Sequence, residues 1–253
     1  MTVYYSPEYR GRAEELAGLS KNAAAFMEDK LKLSFNFRLA VLSPDQWFSE
    51  HPGIPYAIPW ENQAEDLLFL PSSLKEGLLI RGSDEVANRR RVNFIALHEF
   101  GHLAAKYYYR PSSIGEPVPV SWLNELLATY FAFSFIQSTD SEWARAIRAE
   151  WKNEVKQYTP GTISLDWGFM NELPPNEVAR TYAWYQNVLN LRAAEIHDES
   201  GFAFLQDLKK GLSWDNVDHW TNDSVLSQLE SISPGFMEWA NTLGSRYETR
   251  GNN

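Results

Sequence analysis

The sequence predicts an α+β fold in which a small mixed sheet packs on a buried helix and a mostly helical lobe follows. Three observations carry this. Short apolar runs interrupted by Pro and Gly occupy much of the chain between residues 34 and 81, as the strands of a small sheet do. From Asp84 onward apolar residues recur at helical spacing with few breakers. Within that region the segments 92–105 and 117–139 are apolar on nearly every face, the pattern of helices buried all round. With 253 residues and 44 % apolar content the chain can bury a sizeable core. It reads as one compact unit of two lobes, 1–110 with the first buried helix and 111–253 with the second.

Taken in order, Pro7 to Lys32 reads as an amphipathic helix, and Ser34 to Leu42 alternates as a strand does. Short strands are expected at Ile54–Ile58, Leu67–Leu70 and Leu78–Arg81. The Gly53–Ala57 run is the candidate edge strand, where an extended peptide would align through backbone hydrogen bonds. Arg89-Arg90-Arg91 read as the solvated start of the first buried helix. That helix, VNFIALHEFGHLAA, spans Val92 to Ala105. The second contains SWLNELLATYFAFSFI, with Ser121 placed to cap it. Farther on, Ala179 to Tyr185 lies on an amphipathic helix, and VLNLRAAEIHDESGFAFLQDLKKG reads as helix, glycine turn and helix.

The chemistry concentrates in His98-Glu99-Phe100-Gly101-His102. Residues four apart share a helix face, so the two imidazoles can converge on one metal ion, with the Glu99 carboxylate about 100° round the helix beside it. With five histidines in the chain, this pattern is expected by chance only about once in a hundred such sequences, so it is informative. Glu99 is also the only carboxylate of its segment, and a buried carboxylate without a partner costs several kcal/mol. A catalytic zinc site needs a third protein ligand. The positions that would supply a third histidine in the metzincin pattern, with its preceding glycine, hold Tyr108 and Ala105, which excludes that branch. Between Pro117 and Thr139 the one charged residue is Glu125, isolated in an apolar helix and in need of a cation. Zinc (Zn2+) held by His98, His102 and Glu125 satisfies both helices and leaves a position for water. Glu99 is then the base.

Trp122-Leu123-Asn124-Glu125 followed by Ala128-Thr129-Tyr130 resembles the WLNEGFATY segment of the gluzincin aminopeptidases, the zinc enzymes that include leukotriene A4 hydrolase, with Leu126 and Leu127 in place of Gly and Phe. The resemblance implies a zincin-like fold of the peptidase MA type, with His98, His102 and Glu125 as metal ligands and Glu99 as general base. The 22 residues between His102 and Glu125 are a few more than that family uses. The family's GAMEN segment, which grips a substrate's free amino terminus, has no counterpart beyond the Glu-Asn of Pro59-Trp60-Glu61-Asn62, followed by Glu65 and Asp66. Endopeptidase cleavage along the sheet edge is therefore expected ahead of aminopeptidase cleavage. The family also uses a tyrosine to stabilise the oxyanion, and Tyr182 and Tyr185 both stand at a suitable distance. Counting back from Phe202 points to Tyr182.

The expected function is a zinc metallopeptidase that hydrolyses a peptide or protein substrate with a metal-activated water. A zinc-binding protein without peptidase activity and a zinc hydrolase of a small non-peptide substrate are the alternatives. The absence of cysteine excludes disulfides and thiolate metal sites. A net charge of −10 argues against nucleic acid or an anionic membrane as partner. Without a signal-like apolar stretch at the amino terminus, a cytoplasmic protein is expected. His51, His197 and His219 lack partners at ligand spacing and read as surface or cap residues. Asn124 and Thr129 flank Glu125, and Thr129 is placed to support a ligating imidazole.

Overall fold

Leu16, Ala23, Met27 and Leu31 recur at helical spacing and are buried along one face of α1 (Arg10–Leu31) in the computed structural model. A 3-10 turn over Pro7–Tyr9 leads into the helix, and Lys32, in the left-handed region at φ 56°, ends it. The structure describes every residue except 51, 52, 54, 57, 76, 78, 110–119, 159, 161, 162, 166 and 244–253. The chain divides into two units, Met1–Pro117 and Val118–Asn253, the first mixed and the second helical among its described residues.

In the first unit β1 (Thr2–Tyr5), β2 (Arg38–Leu42), β3 (Trp60–Asn62) and β4 (Leu67–Pro71) form one sheet in the order β1-β2-β4-β3. The pairs β1–β2 and β2–β4 are parallel and β3–β4 is antiparallel. Parallel neighbours need a crossover, which α1 supplies between β1 and β2. Leu39, Ala40 and Val41 are buried in succession, as a central strand covered on both faces requires. In the hairpin, Trp60 lies opposite Phe69 and stacks on it at 4.3 Å and 9°. Asp66, at φ 50°, makes the turn. A short helix α2 (Pro44–Glu50) is closed at its start by reciprocal bonds between Ser43 and Gln46 and anchored by the fully buried Trp47, whose ring meets Tyr56 edge-on.

Several expectations change here. The strand expected from Ser34 begins only at Arg38. Around Ile54–Ile58 the described residues are not strand: Ile58 N–H closes a turn onto the Pro55 carbonyl, Pro55 and Pro59 lack the N–H that a ladder needs, and Ile54 and Ala57 lie outside the described residues. The two edge strands of the sheet are β1 (Thr2–Tyr5) and β3 (Trp60–Asn62), and the described residues of the Gly53–Ala57 run, Gly53, Pro55 and Tyr56, are not strand. Leu79, Ile80 and Arg81 are also not strand, since Ile80 N–H bonds the Gly77 carbonyl in a turn, and Leu78 lies outside the described residues. β1 and α2 have no counterpart in the sequence reading.

Helix α3 (Glu85–Tyr109) completes the first unit, with the Asp84 carboxylate accepting from Ala87 N–H at 3.0 Å. Its arginines are tied rather than merely solvated. Arg89 pairs with Glu15 at 2.7 Å and with Glu85, and Arg91 donates to the Leu79 carbonyl and to Asn88.

The second unit comprises α4 (Ser121–Thr139), α5 (Ser141–Gln157), α6 (Pro175–Ser200), α7 (Ala203–Gly211), α8 (Asn222–Ile232) and α9 (Phe236–Asn241). Ser121 is the first helical residue of α4 rather than its cap, because Val120 is the extended residue that precedes the helix. Asp140 closes α4 with its backbone N–H and opens α5 by accepting from Trp143 N–H at 2.9 Å. α4 is buried nearly all round, as its composition demands. It packs on α5 and α6. α6 starts with Pro at its first position and stops at Gly201, φ 52°.

Candidate metal centre

On α3 the residues from Phe94 to Ala105 are buried on almost every side. Phe100 meets the rings of Phe35 and Phe37, in the segment between α1 and β2, at 5.4 and 5.2 Å. Within this setting His98, Glu99 and His102 are 4, 8 and 4 % exposed. The two imidazole rings stand 4.8 Å apart at 89°, and one ligand atom from each of the three residues lies within 4.8 Å of the others. Two imidazole nitrogens and a carboxylate that converge in this way could hold a metal ion through nitrogen and oxygen ligands.

The edge strand β3 brings a second carboxylate to the same place. Glu61 shares a hydrogen bond with the Glu99 carboxyl and feels the charge of His102. Burial pushes the Glu61 carboxyl up, but His102, the bond with Glu99 and the Gln63 amide outweigh it and hold Glu61 below the usual carboxylate range. Gln63 Nε2 donates to Glu61 Oε1 at 3.0 Å.

Sequence reasoning noted Glu61 only as a remnant of a motif and passed over Gln63 and Lys106. Lys106 follows His102 by one turn on the same helix face, and its ammonium donates to the Gln63 carbonyl at 2.5 Å and to Asp66 Oδ1 at 2.8 Å. The available signal was a lone lysine closing an otherwise apolar stripe.

Glu125 lies on the first turns of α4, half-buried, and Asn124 beside it is half-buried too. Thr129 is fully buried, and its hydroxyl donates to Asn190 Oδ1 of α6 at 2.5 Å. The two candidate tyrosines have different surroundings on α6. Tyr185 is 1 % exposed, packs near Phe169 and donates its hydroxyl to the Leu165 carbonyl at 2.6 Å. Tyr182 is 40 % exposed. Among the other histidines, His219 is exposed, and His51 lies outside the described residues. His197, expected as a surface or cap residue, stands in the last turn of α6. It is half-buried between the rings of Tyr130 and Phe133, its carbonyl accepts the Gly201 N–H, and burial lowers its pKa against the opposing pull of Asp198.

A comparison with protein-family models finds no match, and neither does one with curated proteins. Among the described residues no helix is long and apolar enough to cross a membrane.

Proposed function

We propose that the protein is a zinc metallopeptidase of the gluzincin type with a zincin-like arrangement, and the observation that carries this reading is the buried convergence of His98, Glu99 and His102 on one helix. His98 and His102 are the imidazole ligands, and Glu125 is the third ligand on the sequence argument. When bound, zinc supplies a Lewis acid that polarises a carbonyl and brings the pKa of water to about 7. Glu99 takes the proton of the attacking water on a carboxylate oxygen and returns it to the nitrogen of the leaving amine. β3 offers an extended substrate the open backbone groups of a sheet edge. Tyr182 is the oxyanion donor, worth about 3 kcal/mol of barrier. It is favoured over Tyr185, whose hydroxyl is engaged by the Leu165 carbonyl. A purely structural zinc site would have no use for Glu99.

The test is direct. Protein loaded with zinc and desalted is expected to hold one equivalent, to cleave members of a peptide library, to stop when a chelator removes the metal and to resume when zinc is restored. Cleavage indifferent to the chelator would overturn the reading.

One observation favours a second reading, aminopeptidase action. Glu61 stands on the edge strand β3 within hydrogen-bond reach of Glu99, and a half-buried carboxylate in that position suits a substrate's free α-ammonium, which needs an anion to be desolvated. Free and N-acetylated forms of one cleaved peptide separate the modes. On this reading acetylation abolishes cleavage, and Glu61→Ala loses activity on the free peptide at unchanged zinc content. Equal cleavage of both forms leaves the endopeptidase mode.

A further inference from the structure

We propose that Lys106 is a positioning residue that clamps the edge strand β3 to the metal helix, so that a substrate main chain lying along β3 is held in register with His98, Glu99 and His102. The proposal rests on the metallopeptidase reading above. Lys106 leaves α3 one turn beyond His102, and its side chain is 11 % exposed. An ammonium that far out of water needs compensation from oxygen acceptors. It finds two, both in the β3–β4 hairpin: the Gln63 carbonyl, immediately after β3, and the Asp66 carboxylate in the turn. The same residue, Gln63, presents its side-chain amide to Glu61. A continuous chain of bonds thus runs from the helix that carries the histidines, through Lys106 and Gln63, to the carboxylate that meets Glu99.

The hairpin also packs directly on α3, and the Lys106 bonds add a directional polar tie to that packing. β3 is three residues long and, among the described residues, is laddered on one side only, by β4, so ties that cross from α3 add to its positioning. The turn is shaped for the clamp. Asp66 adopts φ 50°, a conformation that costs most L-residues energy and suits Asp and Asn, while its carbonyl accepts from Arg38 N–H at 2.8 Å and anchors the turn to β2. A displacement of about 1 Å at a reacting centre can cost on the order of a hundredfold in rate, so a loose edge strand would be felt in substrate binding long before the fold was lost.

Two hydroxamates read this without requiring turnover. Acetohydroxamate contacts the metal alone, whereas an N-acylated dipeptidyl hydroxamate also lays a main chain beside the strand. Dissociation constants on zinc-loaded protein are expected to show Lys106→Met weakening the peptidyl compound by about tenfold or more, leaving acetohydroxamate within about twofold and zinc stoichiometry unchanged. Lys106→Arg, which keeps the charge, recovers most of the loss. Should Lys106→Met fail to fold, Asp66→Asn removes the same ion pair from the other side with a residue that tolerates positive φ, and is read in the same way. Equal effects on both hydroxamates, or no effect on either, would overturn the clamp while leaving the metal site intact. If neither compound binds the zinc-loaded wild type, the metallopeptidase reading itself fails and the clamp with it.

Discussion

On the proposed mechanism, Glu99→Gln is expected to hold zinc as fully as the wild type and to cleave peptide between about a hundred and ten thousand times more slowly, the span over which a positioned general base contributes. The substitution is conservative in this site. Glu99 is buried and hydrogen-bonded to Glu61, and the amide can keep that bond by donating from its nitrogen, so neither a cavity nor an unpaired group results. What is lost is the ability to accept the proton of water. Turnover numbers and zinc content measured on the same preparations decide the matter. Near-wild-type turnover at full zinc occupancy would mean that Glu99 is not the base.

The second large effect is on the metal itself. His102→Ala is expected to hold less than about a tenth of an equivalent of zinc after desalting, where the wild type holds one, because the two imidazoles are the neutral nitrogen donors that favour zinc over harder cations. Binding to the folded state alone also stabilises by mass action, about 2.7 kcal/mol at a free zinc concentration a hundred times the dissociation constant. The wild type should therefore melt at a higher temperature with zinc than without, and His102→Ala at the same temperature in both. Identical zinc content and identical melting shifts in the two proteins would remove His102 from the ligand set.

The features legible in the sequence were those written in local pattern. α3 and α4 stood out because each is apolar all round and carries its few polar groups at conspicuous places, and β4 was readable from its unbroken run Leu67–Leu70. β1 was not, since Thr2–Tyr5 has no periodicity of its own and is a strand only by pairing with β2, more than thirty residues away along the chain. β3, the edge strand beside α3, was missed for a related reason. Ile54 and Ile58 have the side chains of a strand, but two prolines remove ladder donors, and the residues that do pair, Trp60–Asn62, are fixed by a ring stacked across the hairpin onto Phe69. At the site, the four-residue spacing of His98 and His102 is intrinsic to a helix and could be foreseen. The meeting of Glu61 with Glu99 is tertiary, decided by which strand ends at the sheet edge, and no spacing along the chain encodes it. Tyr182, to which the count back from Phe202 points, is exposed, while Tyr185 is buried with its hydroxyl engaged by the Leu165 carbonyl, a difference that no pattern along the chain encodes.

Asp140, shared by the end of α4 and the start of α5, makes an elbow without a forearm's slack. With no further linker residue between the two helices, any change in the angle between α4 and α5 would be taken up at Asp140 itself. Glu125 lies fifteen residues from this pivot, about 22 Å along the helix axis, so each tilt of about 3° at Asp140 carries its carboxylate sideways by about 1 Å. Two polar fastenings close to the far end oppose that swing: Thr129 to Asn190, and Tyr130, whose hydroxyl donates to the Gly201 carbonyl. Leverage of this kind makes residues remote from Glu125 relevant to where its charge comes to rest. In α4, the buried hydroxyls of Thr129 and Tyr130 act as stays for a carboxylate they do not need to touch.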